Sequence, residues 1–68
     1  MFITVDKKDN YHESAYTEQE ALVNAINHCV VEGLTIISID KIEDSITIVY
    51  IDPDDNTAED IAIYPINE

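Results

Sequence analysis

The chain has 68 residues, 46% of them apolar, with fifteen acidic side chains against three lysines and no arginine, for a formal net charge of −12. A surface this negative repels phosphate, which argues against direct binding of nucleic acid or anionic lipid, and the apolar content argues against a disordered polyelectrolyte. One cysteine allows no internal disulfide, and Cys29 with His12 and His28 falls short of a structural zinc set, so a core this small must draw extra stability from packing or an oligomer interface.

A single domain spanning 1–68 is expected. Met1-Phe2-Ile3-Thr4-Val5-Asp6 carries neither the basic flank nor the apolar run of a signal peptide, and no stretch approaches the roughly 20 apolar residues of a membrane span. With an unpaired cysteine, this gives a cytoplasmic protein as the expectation.

In chain order, Phe2-Ile3-Thr4-Val5 reads as a short strand, Lys7 to Asn10 as a turn, and Tyr11 to Tyr16 as a returning half-exposed strand. Thr17-Glu18-Gln19-Glu20 is a capping box. It predicts a helix from about Glu18 to Glu32 with Ala21, Leu22, Ala25, Ile26, Cys29 and Val30 as its apolar stripe. Asn24, Asn27 and His28 fall on the polar side, and Gly33 suits a left-handed C-cap.

Leu34 to Asp40 and Ile46 to Ile51 follow as two strands. A two-residue turn at Glu43-Asp44 pairs Ile39 with Ile48 and Ile37 with Tyr50 on the face toward the helix. Ile36, Val49 and Ile51 then occupy the far face, more apolar surface than a solvated face needs, which leaves a curled sheet or a homodimer or target interface open. Asp52 to Asp60 reads as a loop, and Ile61 to Tyr64 as a last strand before Pro65. The fold class is α+β: a small antiparallel sheet with one helix on one face, in the order β-β-α-β-β-β.

Ile51 to Asp60 holds five carboxylates in ten residues. Against a calcium loop, Asp52, Asp54 and Asn56 fit the first, third and fifth positions, but Thr57 stands where glycine is needed and Ile63 where a bidentate glutamate is needed. Acid–base catalysis needs a cleft that separates the environments of two acids, and no glycine-rich loop or third polar group suggests one. His28 and Cys29 are helix neighbours pointing about 100° apart, so they form no thiol–imidazole pair, and Cys29 falls on the apolar stripe. No enzyme activity, metal or other cofactor is expected.

The charge itself is the remaining signal. From Ile42 onward there are eight acids and no base: Glu43, Asp44, Asp52, Asp54, Asp55, Glu59, Asp60 and Glu68. An antiparallel meander places the 43–44 turn and the 52–60 loop at opposite ends of one strand, so acids rim the sheet at both ends. Asp52, Asp54, Asp55, Glu59, Asp60, Glu43 and Asp44 are the expected contacts to lysines or arginines of a partner. Tyr50, Tyr64, Ile51 and Val49 are expected to add specificity, because exposed ion pairs contribute only about 0–1 kcal/mol each.

In length, acidity and element order the chain resembles small phage-encoded inhibitors, among them anti-CRISPR and anti-restriction proteins that imitate DNA. The resemblance implies an inhibitor acting in the host bacterial cytoplasm on a basic, nucleic-acid-binding protein surface, and it carries over no functional residue. A second stretch, YTEQEALVNAINHCVVEG, is similar to the strand-to-helix step of HicB-type antitoxins, without their preceding three-strand pattern or DNA-binding tail. The alternative reading is a structural or assembly module that homodimerises through the outer sheet face, its acids serving solubility.

Overall fold

The computed structural model describes residues 1–66. Five strands and one helix follow the expected order: β1 (Phe2–Asp6), β2 (Tyr11–Ala15), α1 (Glu18–Glu32), β3 (Thr35–Ile42), β4 (Ser45–Asp52) and β5 (Thr57–Pro65). All neighbouring strands pair antiparallel in one sheet of order β2-β1-β5-β4-β3, so α1 links one edge strand to the other and lies across a single face.

The helix ends as its sequence requires. Thr17 is extended and its hydroxyl accepts the Glu20 amide at 3.1 Å. Gly33 takes the left-handed conformation at φ 71°, and the Gly33 and Leu34 amides close onto the Val30 and Cys29 carbonyls at 3.2 and 2.8 Å. Ala21, Ala25 and Cys29, one per turn, are fully buried. Their small side chains let the helix lie close against Ile46, Ile48, Tyr50, Ile61 and Ile63 of the sheet. The buried stripe is narrower than expected, because Val30 is exposed with Val31.

Two registers differ from expectation. Ile39 does face Ile48, but a bulge between Ile36 and Ser38 sets Ile36, not Ile37, opposite Tyr50. Ile36 therefore packs on the core and Ile37 is thrown outward. The 52–60 loop is also shorter than expected, because Thr57 to Asp60 pair with Asp52 to Val49 as the start of β5. Backbone hydrogen bonding along the hairpin overrides the weak strand preference of Glu59 and Asp60.

In β1 the usual alternation is reversed. Phe2, Thr4 and Asp6 share the helix side, since Thr4 and Asp6 lie beside the buried Ile63 and Ile61, while Ile3 and Val5 look outward. The outer face thus carries Ile3, Val5, Val49, Ile51, Ala62 and Tyr64, with no second layer among the described residues. Thr4 is fully buried, and its hydroxyl has no hydrogen-bond partner among the described residues. Thr4→Val keeps the shape and removes a desolvated hydroxyl. It is expected to raise stability by about 1 kcal/mol, seen as a higher urea midpoint at unchanged m-value.

Candidate functional site

The β1–β2 and β4–β5 turns lie at the same end of the sheet, because Asp6 pairs with Ile61 and Thr57 pairs with Asp52. Lys8 reaches from the first turn into the second. Its ammonium donates to Asp52 at 2.9 Å, to Asp55 at 2.8 and 3.0 Å, and to the Thr57 hydroxyl at 2.9 Å. Asp52 also accepts the Asp54 amide at 3.0 Å, and Asp55 accepts the Thr57 amide and hydroxyl at 3.2 and 2.7 Å. Asn56 closes the turn at φ 57°, a conformation asparagine tolerates.

The electrostatics follow from these bonds. The hydrogen bond from Lys8, then that from Thr57, draws the Asp55 carboxyl down to about 2. Asp52 is lowered by Lys8 and then by the Asp54 amide, and Lys8 is raised above its ordinary value by Asp55 and then Asp52. Lys8 thus gives the acidic turn a fixed shape while neutralising part of its charge.

Among the described residues, no lysine ammonium or histidine ring nitrogen lies within 4.0 Å of a carboxylate oxygen of Asp54, Glu59, Asp60, Glu43 or Asp44. Glu43 and Asp44 stand at the far end of β4, across an eight-residue strand of about 25 Å. Near that turn, Lys41 pairs with Glu18 at 2.9 Å. The expected acidic contacts therefore fall into two groups, one per end. Glu59 lies opposite Tyr50 on the helix side, and Asp60 lies opposite Val49 on the outer face. Tyr64 is partly exposed and lines a shallow outer-face depression of about 280 Å³ with Val5, Lys7, Asp60 and Ala62. Glu68 lies outside the described residues.

Tyr50 does not belong to any surface. It is fully buried, and its hydroxyl donates to both oxygens of Asp6 at 2.9 and 3.0 Å. Burial first, and then this bond to a carboxylate, pushes the phenol above its ordinary range. Asp6 itself is fully buried and also accepts the Lys8 amide at 3.2 Å.

His28 approaches the same carboxylate with Nε2 at 3.1 Å and stands 3.5 Å from Asp9. Its ring stacks on Tyr11 at a 4.0 Å centroid distance, and the Tyr11 hydroxyl bonds Glu13. His28, expected on the solvated side of the helix, is therefore nearly buried, drawn in by a carboxylate that β1 presents to the helix. Cys29 is a core residue, its thiol pushed up by burial and then by the charges of Asp6 and Asp9.

This Asp6–His28–Tyr50 group is absent from the sequence reading. Its one signal was an aspartate two residues after Thr4 and four after Phe2, on the side of the strand that faces the helix. Asp6, Asp9 and His28, not the acidic turn, are the described residues that bring three potential metal-ligating atoms within 4.8 Å of one another. Among the described residues, no helix is long and apolar enough to cross a membrane. No family model, no curated protein and no solved structure matches the chain.

The turn makes a pH prediction. Because the folded Asp55 carboxyl ionises below its ordinary 3.8, its stabilisation is complete above that value and is lost as pH falls to about 2. Lys8→Gln removes the cation, so its urea midpoint is expected to fall less steeply than that of the wild type between pH 4 and 2. Parallel curves for the two proteins would show that the turn is not stabilised by Lys8.

Proposed function

We propose that this chain is a non-enzymatic acidic inhibitor that occupies a basic, nucleic-acid-binding surface of another protein, as a nucleic-acid mimic acting in the bacterial cytoplasm. One observation carries this reading. Asp54, Glu59 and Asp60 of one hairpin lack a cationic partner among the described residues, and of these Asp60 lies on the sheet face that no helix covers, with Asp54 in the turn beyond it and Glu59 on the helix side. The carboxylates take the place of phosphates on lysines or arginines, and a long-range field of this sign speeds encounter with a cationic surface. Val49, Ile51 and Tyr64 on the uncovered face supply apolar contact that charge alone does not. The Lys8 clamp supports the same reading, because a turn already held in shape loses little freedom on binding.

A second reading, a structural or assembly module that pairs with a second copy through the outer sheet face, draws on the apolar Ile3, Val5, Val49 and Ile51 there. The two separate by salt: a homodimer held by apolar contact persists at high ionic strength, whereas charge-driven docking weakens.

The test uses the immobilised chain in a bacterial lysate, beside an Asp54→Lys/Glu59→Lys/Asp60→Lys variant that leaves Asp52, Asp55 and Lys8 intact. The wild type is expected to capture a nucleic-acid-binding protein that added DNA or RNA displaces and high salt releases, and the variant is expected to lose it. Equal capture by the variant, or capture indifferent to added nucleic acid, would overturn the reading.

A further inference from the structure

We infer that Asp6, Asp9 and His28 form a three-ligand site for a divalent transition ion of the zinc class, which pins the helix to the β1–β2 turn. The three residues come from different places in the chain: the end of β1, the turn after it, and the last third of α1. Their ligating atoms lie within 4.8 Å of one another.

The Nε2 atom of His28 stands 3.1 Å from one carboxylate and 3.5 Å from the other. A four-coordinate ion with ligands at about 2.0–2.1 Å holds neighbouring donors about 3.3 Å apart, so both separations suit the same ion. A lone imidazole proton serves Asp6 but not Asp9. One N–H makes one good bond, here to Asp6, and 3.5 Å is too long for a second to Asp9. Two carboxylates converging on one nitrogen leave negative charge beside the core, which a divalent ion with a neutral imidazole cancels.

The surrounding groups act as they do around metal ligands. Tyr50 and the Lys8 amide hold the Asp6 carboxylate in place, and Tyr11, bonded to Glu13, backs the imidazole ring. Asp9, whose side chain is partly exposed, is the ligand that opens the group to solvent. An imidazole among few oxygens favours zinc-class ions over calcium, which takes six to eight oxygen ligands. The chain has a single cysteine, so no internal disulfide staples it, and an ion here ties sheet to helix.

The experiment is isothermal calorimetry and thermal unfolding of the full chain with zinc ions, with calcium as control. Expected are one zinc per chain and a midpoint raised by at least about 5 °C at zinc well above the dissociation constant, with little response to calcium. Asp9→Asn changes a partly exposed side chain and leaves the core intact, so it is expected to fold and to lose most of the shift, as is His28→Gln. Asp54→Asn/Glu59→Gln, in the acidic hairpin, is expected to keep it. No zinc response in the wild type, an equal response in Asp9→Asn, an equal response to calcium, or loss of the shift in the hairpin variant would each overturn the site. These readouts involve no protein partner, so they stand or fall apart from the inhibitor proposal.

Discussion

A fully buried aspartate is the constraint around which this small domain is arranged. Removing a carboxylate from water costs several kcal/mol, and the cost is offset only if its oxygens receive well-placed donors. Asp6 receives them from three directions: the Tyr50 hydroxyl on β4, the His28 ring on α1 and the Lys8 amide in the following turn. Each donor belongs to a different element. A one-residue slip of β1 would carry Asp6 to the outer face and bring Val5 under the helix, leaving Tyr50 and His28 without their acceptor. Apolar burial gives the sheet and helix their attraction, and the aspartate restricts which register satisfies it.

The same constraint explains the unusual outer face. With Thr4 and Asp6 on the helix side of β1, its β-branched apolar residues Ile3 and Val5 are left to face outward, beside Val49 and Ile51. A strand with one solvated face usually does the opposite. The result is an apolar sheet face bordered by acidic turns at both ends, the feature on which both proposed readings draw.

Local rules made much of this legible. The Thr17 cap, the Gly33 stop, the two-residue turn at Glu43-Asp44 and the Ile39–Ile48 register follow from capping chemistry, left-handed glycine and period-two alternation. What escaped depended on contacts distant in sequence. The bulge at Ile37 reverses which isoleucine meets the core, and nothing in the run Thr35 to Ile39 marks it. Alternation already turns Tyr50 toward the helix, but only Asp6, 44 residues away, gives its hydroxyl a buried acceptor and so withdraws it from any partner surface. His28 is polar by composition, and its burial is decided by a carboxylate 22 residues earlier. The acidic turn was legible as a concentration of charge, but the lysine that shapes it sits 44 residues before Asp52.

Lys8 joins the two polar regions of the molecule. Its amide donates to the buried Asp6 and its ammonium to the exposed Asp52 and Asp55, so one residue touches the core network and the anionic turn at once. The two roles are chemically separable. A substitution at the Lys8 side chain removes the cation from the turn but keeps the backbone donor to Asp6. The side-chain contacts are also screened by salt, whereas the buried bonds are not. Order at the acidic turn is therefore sensitive to ionic strength, while order around Asp6 is not. A cationic partner approaching Asp52 and Asp55 must compete with Lys8 for the same oxygens, which leaves Asp54, Glu59 and Asp60 as the carboxylates it can engage without undoing the fold's own ion pairs.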